Sequence, residues 1–568
     1  MMGYAATRTL ERVAASLGLL LAPASIEFAA ARDVTGGGVL LALPALLATG
    51  LLTHHAELYA LPKGYYGLHS IFLLLALMAL AHIGSLEQLR YQAPGEWGEL
   101  LGLDRVPEVR TLREKLKILC QQAGCAALWN AALAKQWMTQ EQQAEPVFYM
   151  DGHVRVYHGT LTALPKHYVA RQRLFQRANV DYWINAMDGR PFLCFNQPVD
   201  HGLVAALRED LVPWLEANAP VSAEHQQRMD ADPQVPRFTV IFDREGYSPN
   251  LFEELWERRI AVINYHRYPT ENWPEEEFRE EVVELAGGVT VKLKLAERES
   301  LLSRKKMKVR EVRKQVEGGR QISIVSTHYG PEARRLAALL FARWSQENYF
   351  RYMRQHYGLD ALVEHGTEAM PDTAFTVNPA RRKLEAEVKQ KNAEVKRSQA
   401  QLNAASLEQS ISESAVTEYQ LQQGQLKEQV ENLQKELEAL KVQRSATVKH
   451  VLVKDLPEEF RFTRLRTERK YFLDTIKMIS YRAEVSMASI VREKLARNDD
   501  AHALLRQIFE TEVDLFPEAD KQTLTVRIHH LTQRAHDDVI RHLCEELNAT
   551  ETVFPGTNLK LIYKLGSS

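Results

Sequence analysis

The chain has 568 residues, of which 45% are apolar and 25% are charged, and its formal net charge at pH 7 is −2. This length predicts about three or four folding units with enough apolar residues for a core in each. The charge excludes a general attraction to nucleic acid, so DNA contacts must come from local basic patches. Four cysteines make neither a disulfide framework nor a zinc site, which favours a reducing cytoplasm.

The N-terminal region, residues 1–140, is predicted to be helical. Two apolar runs within it, residues 39–52 and 71–81, are shorter than the roughly 20 residues that a membrane span needs. Pro44 and several histidines also interrupt or flank these runs. We therefore expect buried core helices and no membrane partner.

A basic helix is predicted near the end of this region. Asp104 is expected to cap it. One predicted face carries apolar residues at helical spacing, namely Val109, Leu112, Leu116 and Leu119. Another face is basic and carries Arg110, Arg113 and Lys117. With the segment before it, this helix fits a helix-turn-helix that enters a DNA major groove. A plain helical pair with a solvated basic face fits equally well.

Three acidic residues lie in or directly after predicted elements that could bring their carboxylates together. Asp151 and Asp243 each end a short run of β-branched and aromatic residues, which predicts two buried strands. Glu347 lies in residues 336–355, whose apolar spacing predicts a helix. Carboxylates on two neighbouring strands and a covering helix can converge on two Mg²⁺ ions. This ion prefers oxygen ligands and must keep positions open for phosphate and water.

Two arginines share the face of the predicted helix that carries Glu347. Arg343 precedes Glu347 by four residues, and Arg354 follows it by seven. The pattern resembles the motif Tyr-x2-Arg-x3-Glu-x6-Lys of the DDE transposases of bacterial insertion sequences. Arg343 and Glu347 match this motif, Arg354 replaces the lysine, and Leu340 stands where tyrosine is expected. The two arginines suit DNA phosphates.

The resemblance covers most of the chain and implies a ribonuclease-H-like mixed α/β catalytic core at residues 141–370. There Asp151, Asp243 and Glu347 would hold two Mg²⁺ ions, with Mn²⁺ as a substitute. Glu245 is the alternative acid if Asp243 points elsewhere, and His153 either orients a phosphate or is structural. The resemblance further implies cleavage at element ends and attack of the freed 3′-hydroxyl on target DNA. It implies a homo-oligomer in the bacterial cytoplasm, at the nucleoid.

The 103 residues between Asp243 and Glu347 are too many for a simple crossover. Alternating apolar residues predict a β-rich insertion at residues 282–326. Residues 304–314 contain seven positive charges in eleven positions. We predict phosphate contacts for four of them, Lys305, Lys306, Lys308 and Arg310. The alternative is a solvated strand edge that lysines protect against aggregation.

A long charged helix is predicted at residues 380–445. Its apolar residues keep one heptad register from Leu384 to Leu440, which is roughly 85 Å at about 1.5 Å per residue. The most regular stretch is residues 426–440. The coiled coil either pairs between chains or folds back near residues 404–415, and a single solvated helix is the third alternative.

Residues 450–568 are predicted to form a small α+β domain without an assigned chemical role. The fold class is therefore a multidomain α+β protein. Three functions remain open from the sequence: a transposase that cleaves and joins DNA, a nuclease or repurposed DNA-binding protein of the same fold, and a coiled-coil scaffold whose acids are inactive.

Overall fold

The computed structural model describes a mixed α/β protein. The described residues are 8–141, 145–159, 164, 166–169, 172, 174–197, 202–269, 271–285, 290–302, 307–361, 363, 366–370, 375–405, 413–458, 461, 463–495, 497 and 500–566. Within these ranges, no helix is both long enough and apolar enough to cross a membrane.

The described N-terminal part is helical apart from one strand. Its elements are α1 (Thr9–Ser16), β1 (Ala31–Val34), α2 (Leu43–Ala48), α3 (His55–Leu58), α4 (Leu68–Leu80), α5 (Pro94–Glu99), α6 (Val109–Leu119) and α7 (Cys125–Gln140). Most side chains of α4 are buried, as are those of the 3-10 helix Gly37–Ala42 before α2. The prediction that both apolar runs are buried in the core is confirmed.

The apolar face predicted for α6 is also confirmed, because Val109, Leu112, Leu116 and Leu119 are all buried. The predicted capping role of Asp104 is wrong, since Glu108 occupies the N-cap position. Asp104 instead accepts hydrogen bonds of 2.7 Å from both the Tyr65 hydroxyl and Nε of Arg12. A buried carboxylate needs such partners, and here they come from earlier in the chain.

The central part of the chain builds one large sheet. Its elements are β2 (Val147–Val156), β3 (Lys166–Val169), β4 (Leu174–Asn185), β5 (Pro191–Gln197), α8 (Leu203–Ala206), α9 (Val212–Asn218), α10 (Ala223–Ala231), β6 (Phe238–Phe242), α11 (Pro249–Glu257), β7 (Ile260–Tyr265), β8 (Arg279–Glu284), β9 (Thr290–Leu302), β10 (Met307–Gln315), β11 (Gln321–Ser326), α12 (Ala333–Phe341) and α13 (Arg343–His356). The strands that carry Asp151 and precede Asp243 occur where the sequence predicts them.

The sheet order is β3-β4-β2-β6-β7-β11-β10-β9-β8, and β5 also pairs with β4. Strands β2, β6 and β7 are parallel to one another, whereas β4 is antiparallel to β2 and to β5. The β-rich segment begins at Arg279 and continues this sheet through the pairing of β11 with β7. Since β10 lies between β9 and β11, protection of an exposed edge does not explain its basic residues.

Two helices replace the single helix predicted at residues 336–355. They meet at Ala342, which is both the C-cap of α12 and the N-cap of α13. Helix α12 packs on β7 to β11, whereas α13 packs on β2. The two helices therefore follow different packing surfaces, which explains the break.

The next segment contains two long helices and four short strands. Its elements are β12 (Thr367–Glu368), β13 (Phe375–Val377), α14 (Pro379–Ala405), α15 (Glu413–Ala446), β14 (His450–Leu452) and β15 (Arg464–Leu465). Val388 and Val395 of α14 pack against Leu437 of α15, and Lys391 pairs with Glu436 at 2.9 Å. The two helices thus pair within one chain, as in the fold-back alternative.

Replacing Leu433 and Leu437 by lysine should separate α14 from α15, because Leu437 is 6% exposed and belongs to their contact cluster. We expect a loss of helical circular dichroism with no change in solution mass, since the pairing lies within one chain. Val442→Lys, at a position that is 64% exposed, is the control. A change in mass without a loss of helix would instead indicate pairing between chains.

The last part of the chain contains α16 (Glu468–Arg492), α17 (Ala501–Glu510), β16 (Val513–Glu518), β17 (Thr523–Ile528), α18 (Asp537–Ala549) and β18 (Lys560–Leu565). Helix α16 packs against α2, α4, α7, α17 and α18. The sheet order is β1-β16-β17-β18, so the segment predicted as a C-terminal domain completes its sheet with an N-terminal strand.

Candidate active site

Asp151 and Asp243 are neighbours across two parallel strands. Met150 of β2 is paired with Phe242, the last residue of β6. The residue that follows each of them in the chain is an aspartate, Asp151 within β2 and Asp243 directly after β6, so the two aspartates lie at the same level of the sheet. The interior of the sheet is apolar here, and both flanking residues are fully buried.

Backbone and side-chain amides hold the two aspartates. The amide of Gly152 donates to Oδ1 of Asp151 at 2.8 Å, and the amide of Arg244 donates to Oδ1 of Asp243. The Asn264 side chain donates to the backbone oxygen of Asp243 at 3.2 Å. The first two bonds orient the carboxylates without neutralising them, and the third holds the backbone of Asp243.

Glu347 approaches from the covering helix α13, which a buried amide network attaches to the sheet. The Gln346 side chain is 1% exposed and donates to Oδ1 of Asn185 at 2.8 Å and to the backbone oxygen of Tyr149 at 3.3 Å. These contacts tie α13 to β4 and β2, one residue before Glu347. The Glu347 side chain itself remains 39% exposed.

The hairpin between β4 and β5 packs directly on the start of α13. Gly189 has a φ of +90°, and a Cβ atom there would lie 2.7 Å from the backbone oxygen of Ser345. Only glycine fits this approach, because a side chain would clash with helix backbone. The hairpin therefore helps to fix the height of α13 above the strands.

Arg343 links the acids. Its Nη1 lies 3.5 Å from Oδ2 of Asp151, and its Nη2 pairs with Oε1 of Glu347. The Arg343 side chain is 13% exposed, so the guanidinium lies inside the site rather than in solvent. One cation thus bridges the strand carboxylate and the helix carboxylate.

The charges of the three acids interact strongly. Burial, together with the negative charges of Asp243 and Glu347, raises the pKa of Asp151 to about 7 despite the opposing effect of Arg343 and the Gly152 amide. A carboxyl group with this pKa is half-protonated near neutral pH in the absence of a bound cation. Perturbed groups of this kind concentrate at functional sites.

Sequence reasoning missed two residues at this site, Arg244 and Tyr265. The Arg244 guanidinium lies 5.0 Å from the centre of the Tyr265 ring. Burial raises the pKa of Tyr265. The charge of Arg343 opposes this rise, and that of Glu347 adds to it. The available signal was positional, since Arg244 follows Asp243 and Tyr265 ends the neighbouring strand.

Comparison with protein families gives one match, to a family described as a transposase protein, over residues 3–567. The chain belongs to this transposase family. None of the curated proteins compared matches it.

The donor set of the candidate site suits a hard divalent ion, because Asp151, Asp243 and Glu347 offer carboxylate oxygens only. Arg343 already occupies this negative site as a cation. In the described part of the chain, the group with three ligand atoms within 4.8 Å of one another is Asp33, Glu512 and His529, on the four-stranded sheet. Among the described residues, Asp151, Asp243 and Glu347 do not bring three ligand atoms this close, and Arg343 lies between two of them.

The basic residues predicted on α6 of the transposase lie on its exposed side. Arg110 pairs with Glu114 at 3.4 Å, and Arg113 pairs with Glu87. Lys117 is exposed as well. The acidic partners reduce the positive charge of this face, and its contact with DNA stays a prediction.

The basic residues predicted near β10 differ in their surroundings. Lys305 and Lys306 lie outside the described residues, and Lys308 is exposed. Arg310 pairs with Glu297 at 2.5 Å and donates to the backbone oxygen of Tyr329 at 3.1 Å. Arg310 therefore holds the loop after β11, and Lys308 is the freer of the two described cations.

Arg354 and His153 lie beside the site on α13 and β2. Nε of Arg354 donates to the backbone oxygen of Phe350 at 3.3 Å. The His153 ring stacks on Phe350 with centroids 5.1 Å apart, and its Nε2 lies 2.6 Å from Oδ1 of Asp360. These contacts favour the structural alternative for His153.

Proposed function

We propose that this transposase is a DDE enzyme that cleaves DNA at element ends and joins the freed ends to target DNA. Asp151, Asp243 and Glu347 would hold Mg²⁺, with Mn²⁺ as a substitute. One observation carries the proposal: carboxylates from two parallel strands and a covering helix share one charged site, in which Arg343 bridges two of them.

The sheet supports a ribonuclease-H-like core. Strands β5, β4, β2, β6 and β7 lie side by side, the first three antiparallel and the last three parallel. Along the chain, the antiparallel strands are followed by helices, strand β6, helix α11 and strand β7, an order that resembles a ribonuclease-H-like fold. The acids lie on its two central strands and on the helix that covers them.

The protein residues have separable tasks in the proposed reaction. Mg²⁺, when bound, supplies water activation and stabilises charge on the scissile phosphate. The Gly152 and Arg244 amides orient the Asp151 and Asp243 carboxylates, which would hold the ion, and Arg343 would offer hydrogen bonds to phosphate oxygens. In the first step, water attacks the scissile phosphorus and the 3′-oxygen leaves, which frees a 3′-hydroxyl at the element end. In the second step, this hydroxyl attacks a phosphorus of the target DNA and displaces the target's 3′-oxygen. No covalent bond to the protein forms.

The test is to incubate purified protein with Mg²⁺ and the DNA that flanks its gene, with EDTA as the negative control. Joined products in the Mg²⁺ sample support transposition. Nicks without joined products support the nuclease alternative, and no Mg²⁺-dependent product in any DNA would favour a scaffold. Inverted repeats in the flanking DNA would define the ends to use.

Changing Lys305, Lys306 and Lys308 to glutamate should weaken binding to all DNA sequences alike, because phosphate contacts carry no sequence information. Each lost phosphate contact should reduce the steepness of the slope of log affinity against log salt concentration by about 0.9. Filter binding or fluorescence anisotropy across a salt series measures this slope. Lys521→Glu, at a side chain that is 72% exposed between β16 and β17, is the control, and an unchanged slope would exclude the three lysines as phosphate contacts.

A further inference from the structure

The guanidinium of Arg343 occupies the oxygens that a metal ion would need. It pairs with Oδ2 of Asp151 and Oε1 of Glu347, and the charges of Asp151, Asp243 and Glu347 together raise its pKa against the effect of burial. Its Nε atom is buried and has no hydrogen-bond partner among the described residues. Arg343 is thus held mainly by charge, at the centre of the acidic site.

A guanidinium and a divalent ion repel each other when they share the same carboxylates. Coulomb repulsion between close charges in a partly buried site is large, so the two cations compete. Arg343 begins α13 and its side chain is long and flexible, so it can turn away from the carboxylates without moving the helix. A DNA phosphate would give it a bidentate partner of equal charge and would also satisfy Nε.

We propose that Arg343 is the internal counter-ion of the metal site and exchanges the Asp151 and Glu347 carboxylates for a DNA phosphate when divalent ions bind. This inference rests on the proposed function. It implies positive coupling: DNA draws Arg343 away and raises metal affinity, and by thermodynamic linkage metal raises DNA affinity by the same factor. Without DNA, the site would stay closed by its own arginine.

A purely structural ion pair predicts a different outcome. If Arg343 only stabilised the fold, its removal would lower stability and leave metal affinity unchanged or weaker, since the acids would lose their fixed positions. A counter-ion predicts that its removal raises metal affinity. The direction of the change in metal affinity therefore separates the two roles.

The experiment measures Mn²⁺ binding by isothermal titration calorimetry, without DNA, for the wild type, Arg343→Gln and Arg343→Lys. We expect Arg343→Gln to bind Mn²⁺ roughly tenfold tighter, the factor that one pKa unit of charge interaction represents. Arg343→Lys should be intermediate, since it keeps the charge but loses the two-pronged contact. If Arg343→Gln does not fold, as judged by circular dichroism, Arg343→Lys decides: equal or weaker binding than wild type overturns the inference.

Arg351→Gln is the matched control on the same helix. Its guanidinium donates to Oδ1 of Asn348 at 2.8 Å and forms no ion pair among the residues that the structure describes. We expect wild-type Mn²⁺ affinity. A tenfold gain in this variant too would mean that any loss of positive charge suffices, which would overturn the specific role of Arg343.

A second arm repeats the titration with Ca²⁺ in the presence of a short duplex of the element end. The duplex should raise the Ca²⁺ affinity of the wild type several-fold more than that of Arg343→Gln. Equal affinities of wild type and Arg343→Gln in both arms, with binding lost in Asp243→Asn, would overturn the inference while the proposed metal site stands. No binding of either ion by any protein would overturn both.

Discussion

Asp151→Asn, Asp243→Asn and Glu347→Gln should each lower strand cleavage to background, while the protein still folds and binds element-end DNA. Each change removes a carboxylate that faces the same site and keeps the shape of the side chain. Loss of several kcal/mol of metal-based stabilisation corresponds to at least about a thousandfold in rate. Cleavage of a labelled element end, measured with excess enzyme, gives this factor directly.

Glu245→Gln is the matched control for Asp243→Asn, because Glu245 is the alternative acid two residues away. We expect it to cleave at near the wild-type rate. If Glu245→Gln were inactive and Asp243→Asn active, the second strand acid would be Glu245. A wild-type rate in any one of the three acid variants would remove that residue from the proposed site.

The stability of Asp151→Asn tests the raised pKa of Asp151 independently of cleavage. Burial raises the pKa of Asp151 from its ordinary value of 3.8 to about 7, so the folded state binds the proton more tightly than the unfolded state. The free energy of unfolding therefore falls as pH rises through this interval and then levels off. Without metal, Asp151→Asn should unfold at an equal or higher temperature than wild type above pH 7.

Local patterns in the sequence were sufficient to predict most of the candidate site. The strands before Asp151 and Asp243 are short apolar runs, and Glu347 lies in a segment with clear helical spacing. Side-chain spacing alone also predicted that Arg343 shares a helix face with Glu347. These features depend on residues within one element, which is why they can be read without a structure.

Features that depend on distant partners were not predictable. Strands β8 to β11 join the main sheet because β11 pairs with β7. The sequence pattern of a strand does not indicate which other strand it pairs with. Likewise, β1 pairs with β16, although the two strands are separated by almost the whole length of the sequence. The break at Ala342 arises because α12 and α13 pack on different surfaces. None of these pairings leaves a periodic signal.

The anchoring of α13 to the C-terminal part of the chain is another such feature, and it centres on Glu484 of α16. Glu484 is fully buried, and the hydroxyl groups of Tyr352 on α13 and of Tyr357, the C-cap residue of α13, both donate to it. Nδ1 of His502 on α17 lies 2.8 Å from Oε1 of the same carboxylate. A single buried acid therefore joins three helices, one of which carries Glu347.

Burial alone would raise the pKa of Glu484, but the hydrogen bonds from His502, Tyr352 and Tyr357 outweigh it and hold this pKa below its ordinary value. The carboxylate therefore stabilises the folded state above its ordinary pKa. This contribution is lost as pH falls through the lowered value, when the group is protonated. Wild-type protein should lose stability on acidification in part for this reason.

Glu484→Gln should lower the free energy of unfolding by about 3 kcal/mol, because His502 and the two tyrosines lose the buried ionised carboxylate that they contact. Cleavage should fall as well, since α13 is no longer fixed above Asp151. Urea unfolding at neutral pH measures the first effect. Glu493→Gln is the control: Glu493 pairs with His542 at 3.0 Å, but its side chain is 63% exposed, so we expect a loss below about 1 kcal/mol. Equal unfolding midpoints for Glu484→Gln and wild type would show that this buried carboxylate does not hold α13 in place.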